Sequence, residues 1–116
     1  MIFMKQIIQS KDVRSTLTEW KGGEAKVWIF DLTFNRLAIR VLKRRQSEIL
    51  YVTGVGCRFI NGPFSWKKVD LVCTRDAKRK PAWAILDRAN GFELRCESVA
   101  LMRSDEIFTS FSEIRF

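Results

Sequence analysis

Clusters of lysine and arginine are the residues in this sequence most able to support a function. Three groups stand out, at Lys43, Arg44 and Arg45, at Lys67 and Lys68, and at Lys78, Arg79 and Lys80. The two triplets lie between predicted strands, so we expect them in exposed loops, whereas Lys67 and Lys68 fall near the start of a predicted strand. Trp66 and Trp83 lie close to two of the groups in sequence. Cationic charge beside aromatic rings is typical of surfaces that bind single-stranded nucleic acid, because phosphates are attracted to the charge and bases stack on the rings.

An acidic protein is the other partner that these clusters predict. The chain carries 21 Lys and Arg residues against 13 Asp and Glu residues, a formal net charge of +8. Charge complementarity steers protein association by the same force that attracts nucleic acid. Immunity proteins and inhibitors, by analogy, act by occluding a partner rather than by chemistry. The sequence predicts a binding module for an acidic protein or a nucleic acid and leaves the choice, and the oligomeric state, open.

Catalytic chemistry has few candidate residues. The sequence contains no histidine, which excludes a histidine-dependent triad and histidine-ligated metals. Asp31, Asp70 and Asp87 fall on different predicted strands, and Asp31 is expected to pair with Arg40 across a hairpin. We therefore predict a protein that is not an enzyme. A histidine-free enzyme that uses Asp31, Asp70 or Cys57 is kept as an alternative.

The sequence predicts neither a metal site nor a cofactor. Cys57, Cys73 and Cys96 are widely spaced and form no CxxC pair, and apolar neighbours predict that they are buried. Gly54-Val55-Gly56 lacks the third glycine and the following helix of a dinucleotide-binding loop, so it predicts a β-bulge.

The N-terminal segment and the cysteine usage favour a cytoplasmic protein. Lys5 and Gln6 interrupt the apolar start of the chain after four residues, which argues against a signal peptide. No stretch approaches the roughly 18–20 apolar residues that cross a bilayer, so no membrane association is expected. An odd number of unpaired cysteines fits a reducing compartment.

Alternating apolar and polar residues predict a mainly β protein of one domain over residues 1–116. We expect a helix over 10–20, a closing helix from Ser104 onward, and strands over 25–34, 37–42, 48–53, 57–60, 66–74, 82–87 and 92–97. The half-polar pattern and short turns favour an α+β fold, an antiparallel sandwich or partly closed barrel of about six to seven short strands with a short helix near each terminus.

A ligand pocket is the alternative function that this architecture allows. In the strand over 25–34, strict alternation places Trp28, Phe30, Leu32 and Phe34 on one face. A sheet covered by a helix can hold a small apolar ligand in a pocket between the two. The residues expected to line such a pocket are Trp28, Phe30, Phe59 and Trp66.

Overall fold

Two antiparallel β-sheets form most of the computed structural model, which describes residues 5–113. The described strands are, in chain order, β1 (Lys5–Ile8), β2 (Glu24–Asp31), β3 (Arg36–Leu42), β4 (Ile49–Val55), β5 (Phe59–Asn61), β6 (Ser65–Trp66), β7 (Val72–Arg75), β8 (Trp83–Asp87), β9 (Phe92–Cys96) and β10 (Ser98–Ser104). The six-stranded sheet has the order β1-β10-β4-β3-β2-β6, and the four-stranded sheet has the order β5-β9-β8-β7. The predicted mainly β, antiparallel fold class is confirmed, and the sheets do not close into a barrel.

The N-terminal helix lies where the spacing of its apolar residues predicts it. A 3-10 turn over Ser10–Asp12 leads into α1 (Val13–Glu19). Leu17 on the helix and Trp20 just after it are buried against the core. The helix therefore packs its apolar side onto the sheets.

The main core fills the space between the two sheets. Alternate residues of β3 and β4, such as Ile39 and Val52, are fully buried there, and they meet Ile85 and Leu94 from the four-stranded sheet. Strand β4 is buried along almost its whole length. A strand that is buried on both faces has a nearly continuous apolar sequence. Strand β4 has such a sequence because its second face is also covered.

A C-terminal segment covers that second face of the six-stranded sheet. Phe108 and Phe111 pack there against Tyr51 and Met102. The predicted closing helix from Ser104 is wrong within the described residues, because β10 runs to Ser104 and residues 105–113 form bends and a turn. The Tyr51 hydroxyl donates to the Glu106 carbonyl and accepts from the Phe108 amide, so a side chain satisfies backbone groups that a helix would pair. Ile114 lies outside the described residues.

A β-bulge in β2 overturns the predicted face of this strand. Val27 pairs with Ile39 and Ile29 pairs with Ala38, so Trp28 is an extra residue without an opposite partner. The strand ends at Asp31, and the predicted continuation through Phe34 is instead a turn with exposed apolar side chains. One inserted residue reverses the alternation, which a strict period of two does not anticipate.

The predicted strand over 66–74 is two strands that belong to different sheets. Strand β6 ends at Trp66 and β7 begins at Val72. Between them the Val69 amide donates to the Gly23 carbonyl, and the Val69 carbonyl accepts from the Gly22 amide. This crossover, residues 67–71, carries the chain from one sheet to the other.

Candidate functional site

Two of the three predicted basic groups lie at the same end of the six-stranded sheet. Lys43, Arg44 and Arg45 follow the end of β3, where Leu42 pairs with Glu24 at the start of β2. Lys67 and Lys68 lie in the crossover, which is hydrogen-bonded to Gly22 and Gly23 immediately before β2. These five residues are exposed apart from Lys43, which is half-buried and donates from Nζ to the Glu19 carbonyl at 2.8 Å.

The third group lies at the opposite end of the molecule. Lys78, Arg79 and Lys80 form the turn between β7 and β8, and β8 begins with Trp83, which pairs with Cys96. Cys96 is followed by β10, whose Ser98 pairs with Val55 at the far end of β4. The eight predicted partner-binding residues are therefore divided between two ends and do not form one continuous surface.

The turn after β7 forms one wall of a cationic cleft that sequence analysis did not predict. The cleft has a volume of about 700 Å³ and is lined by Arg58, Arg75, Ala77, Arg79, Lys80, Pro81, Ala82 and Glu97. Asp76 orders the turn, because its amide donates to Ala82 and its side chain and carbonyl accept from the amides of Lys78 and Arg79. On the other side, the Arg58 backbone amide donates a hydrogen bond of 2.8 Å to the Arg95 carbonyl.

Positive charge dominates the cationic cleft. Among residues 5–113, four cationic side chains and one carboxylate line it, a net formal charge of +3. The guanidinium of Arg58 pairs with Glu97 at 2.9 Å. Within residues 5–113, Arg75, Arg79 and Lys80 have no ion-pair partner. Arginine side chains bind phosphate or carboxylate oxygens through paired N–H groups, so the cleft is suited to an anionic group.

Arg58 and Arg75 escaped sequence analysis because neither belongs to a run of basic residues. Arg58 lies between Cys57 and Phe59, and Arg75 precedes Asp76. The β7–β8 hairpin brings Arg75 to Arg79 and is the local signal for that residue. Arg58 reaches the cleft through the pairing of β5 with β9, for which the sequence has no local signal.

The carboxyl groups considered for catalysis do not converge. Asp31, at the end of β2, pairs with Arg36 rather than with Arg40 as predicted, and a hydrogen bond from the Arg36 guanidinium lowers the pKa of Asp31. Arg40 instead lies over the Trp28 ring at 3.9 Å. Asp31 lies at the C-terminal end of β2, whereas the crossover that contains Asp70 is hydrogen-bonded to the residues just before the N-terminal end of β2. The length of the strand therefore separates Asp31 from Asp70.

Asp70 and Asp87 do lie next to each other, but their carboxyl groups have different partners. The side chain of Asp70 is half-exposed, 4.0 Å from the Lys21 ammonium. Asp87 is fully buried and accepts hydrogen bonds from the Trp66 indole and the Asp70 amide, both at 2.8 Å. The hydrogen bonds of Asp87 therefore connect the crossover to β8 and stabilise the fold.

The aromatic residues predicted to line a ligand pocket are dispersed. Trp66 is buried in the core between the sheets, stacked on Phe92, whereas Trp28 packs on the second face of the six-stranded sheet. Phe30 and Phe59 are half-exposed. Because the sheet separates Trp28 from Trp66, these four side chains do not enclose one pocket.

A cavity nevertheless lies between helix and sheets, as the alternative function requires. The helix–sheet cavity has a volume of about 700 Å³, and its walls come from α1, β1, β7, β8 and β10. Leu17, Leu71, Cys73, Trp83 and Leu101 are among its apolar lining residues. Sequence analysis predicted the type of site but named other residues, because the bulge and the crossover set which side chains face the helix.

Two of the three cysteines contact each other beneath Gly54. A Cβ atom on Gly54 would lie 3.0 Å from the Cys57 Sγ and 3.1 Å from the Cys96 Sγ. A hydrogen bond from Cys96 lowers the pKa of Cys57, and the same bond raises the pKa of Cys96. Burial raises the pKa of Cys73 to about 12. Cys96 is buried, as predicted, whereas Cys57 and Cys73 are partly exposed.

Neither a metal centre nor a known relative helps to define the site. Among residues 5–113, no three His, Cys, Asp or Glu side chains come together in a way that could hold a metal ion. No helix in the same range has the length and apolar character needed to cross a membrane. Comparison with known proteins gives no matching family model, no similar curated protein and no similar solved structure.

Proposed function

We propose that this chain is a non-enzymatic binding protein whose cationic cleft receives the phosphates of single-stranded nucleic acid. The observation that carries the proposal is the convergence of Arg58, Arg75, Arg79 and Lys80 on one cleft, to which the described residues contribute a single carboxylate. Three of these cations have no ion-pair partner among residues 5–113, so their hydrogen-bond donors are free to bind an anion.

Exposed aromatic rings near the cleft favour nucleic acid over an acidic protein. Phe59 follows Arg58 directly and is 50% exposed. Phe34, 63% exposed, lies in the β2–β3 turn, where the Asn35 carbonyl accepts from the Cys57 amide at 2.8 Å. The Arg36 guanidinium lies over the Phe34 ring at 5.0 Å, so a base would stack on the opposite face. Unpaired bases stack on such rings, and the stacking adds to the attraction between phosphates and cations.

The basic residues at the opposite end provide a matched control for the role of the cleft. Arg75→Glu/Arg79→Glu reverses two charges in the cleft, and Arg44→Glu/Arg45→Glu makes the same change in net charge in the β3–β4 turn. All four side chains are exposed, so we expect both proteins to fold. Binding of a fluorescein-labelled oligothymidylate, followed by anisotropy at low salt, should be lost in the first protein and largely retained in the second.

An acidic polypeptide tests the competing partner. Polyglutamate offers carboxylates without bases, so it should compete for the cleft less effectively than unlabelled oligothymidylate. Equal losses in the two charge-reversed proteins would mean that net charge alone governs binding, and the proposal would be wrong. Tighter binding of polyglutamate than of oligothymidylate would instead assign the cleft to an acidic protein.

A further inference from the structure

The helix–sheet cavity has the size and lining of a small-molecule site. Its volume of about 700 Å³ falls within the range of roughly 300–1,000 Å³ typical of ligand pockets. Leu17 of α1 faces it from one side, and Cys73 and Trp83 of the four-stranded sheet face it from the other. Burial raises the pKa of the Cys73 thiol to about 12, so this thiol adds no charge to the cavity at neutral pH.

Two unpaired arginines lie at the rim of this apolar space. Arg14 of α1 and Arg88 of the β8–β9 turn are exposed, line the cavity, and form no ion pair within residues 5–113. Asp70 is the one carboxylate that the described part of the chain places in the lining, and the Lys21 ammonium lies 4.0 Å from it. The rim is therefore net positive, while the interior is mainly apolar.

We propose that the helix–sheet cavity binds an amphipathic monocarboxylate with an aliphatic body, such as a medium-chain fatty acid. The aliphatic body would lie against Leu17, Cys73 and Trp83, where its apolar surface leaves water. The carboxylate would stay at the rim, where Arg14 and Arg88 can donate charge-assisted hydrogen bonds. This site does not depend on the function proposed for the cationic cleft, because the two cavities share no lining residue.

Ligands with one chain length and different head groups test the role of the arginines. Decanoate, decanol and decylamine, each below its micellar concentration, are titrated by calorimetry into the full chain. We expect decanoate to bind about tenfold more tightly than decanol, the size of effect a charge-assisted hydrogen bond supports. Decylamine should bind more weakly than either, because the rim is positive.

The three cysteines offer a second measurement within the same protein. Cys73 lines the cavity, whereas Cys57 does not. Alkylation with iodoacetamide, followed by peptide mass spectrometry, should slow at Cys73 as decanoate is added and should be unchanged at Cys57. Equal slowing at both thiols would show an effect on the whole protein and would count against the cavity.

Two variants separate the chain-binding part of the cavity from its rim. Val13→Trp fills the cavity from α1 and should abolish binding of decanoate and decanol alike. Arg14→Glu/Arg88→Glu should remove the preference for decanoate while keeping the affinity for decanol, and these exposed positions keep the test valid even if Val13→Trp does not fold. Arg44→Glu/Arg45→Glu, with the same charge change elsewhere, should keep the preference. If wild type does not bind decanoate, or all three ligands bind equally, the proposal is overturned.

Discussion

The Trp66 indole Nε1 donates a hydrogen bond of 2.8 Å to the Oδ2 atom of Asp87, and both side chains are buried. Trp66 belongs to the six-stranded sheet and Asp87 to the four-stranded sheet. The same oxygen accepts from the Asp70 amide at 2.8 Å, and the Asn90 side chain also donates to this carboxyl group. One buried carboxyl group thus joins both sheets, the crossover and the β8–β9 turn.

Asp87→Ala is expected to be the most destabilising single substitution in this region. It leaves the Trp66 indole and the Asp70 amide without their acceptor, and each unsatisfied buried donor costs about 1–3 kcal/mol. We expect the free energy of unfolding to fall by about 3–5 kcal/mol in urea denaturation. Asp70→Ala is the control, because only its backbone amide takes part in this contact. A loss of equal size in both proteins would contradict the assigned role of Asp87.

Gly54→Ala should destabilise the protein because three side chains occupy the space of the added methyl group. The new Cβ would lie 2.9 Å from Leu94 Cδ2, 3.0 Å from Cys57 Sγ and 3.1 Å from Cys96 Sγ. Leu94 and Cys96 are fully buried and cannot move aside freely. Overpacking of this kind costs about 1–3 kcal/mol in unfolding free energy.

A double substitution checks that crowding is the cause of this loss. Cys57→Ala removes one of the contacting sulfur atoms, so Gly54→Ala should cost less in the Cys57→Ala background than in wild type. Thermal and urea denaturation of the four proteins of the cycle measure the coupling. Strictly additive effects would show that the sulfur atom does not contribute to the strain.

The four-stranded sheet shows what local sequence patterns can predict. The expected strands over 82–87 and 92–97 correspond to β8 and β9, because a four-residue turn with Asn90 and Gly91 joins two alternating runs. The helix before Gly22 was predicted for the same reason: apolar spacing and a terminating glycine are local signals.

Features set by distant contacts could not be predicted in this way. The bulge at Trp28 shifts the alternation of β2 by one residue, so the side chains after it point to the opposite faces from those predicted. Nothing in the alternating sequence pattern marks the extra residue. The crossover after Trp66 depends on backbone hydrogen bonds between Val69 and two glycines, Gly22 and Gly23, that lie more than forty residues earlier in the chain. Arg58 lies beside the β7–β8 turn only because β5, β9, β8 and β7 pair in one sheet. The cationic cleft therefore cannot be predicted before the strand order is known.

The thiols should differ in reactivity in the order set by their pKa values. Cys57 has a lowered pKa because Cys96 donates a hydrogen bond to it, whereas burial raises the pKa of Cys73 to about 12. The thiolate is the reactive form, so at pH 8 a lower pKa means a larger reactive fraction. We expect iodoacetamide to modify Cys57 first, as measured by peptide mass spectrometry.

Removing the donor should move the pH profile of Cys57 in a defined direction. In Cys96→Ala the thiolate of Cys57 loses its hydrogen bond, so the midpoint of its alkylation rate should rise to higher pH. Cys73→Ala should leave that midpoint in place, because Cys73 does not contribute to the shift of Cys57. A midpoint that falls or stays constant in Cys96→Ala would refute the assigned donor.

Tyr51→Phe should loosen the C-terminal segment without unfolding the sheets. The Tyr51 hydroxyl accepts from the Phe108 amide at 3.0 Å and donates to the Glu106 carbonyl at 2.9 Å. The ring still packs, but a buried amide loses its partner at a cost of about 1–3 kcal/mol. Hydrogen exchange should accelerate in residues 105–113 while β8 and β9 stay protected. Uniform acceleration in every strand would contradict this local role.

Binding of oligothymidylate should respond to salt according to the number of phosphates that the cationic cleft neutralises. Arg75, Arg79 and Lys80 lack ion-pair partners within residues 5–113, and Arg58 would exchange Glu97 for phosphate. For three to four phosphate contacts to a single strand, affinity should fall about 20- to 50-fold between 50 and 200 mM salt. Anisotropy titrations at several salt concentrations give the slope of log affinity against log salt concentration.

Two lysine variants test whether the cleft sets this slope. In Lys80→Ala the slope should decrease by the contribution of about one contact. Lys43→Ala should leave it unchanged, because the Lys43 ammonium donates to the Glu19 carbonyl at the opposite end of the molecule. A slope that decreases equally in the two variants would place the bound strand outside the cleft.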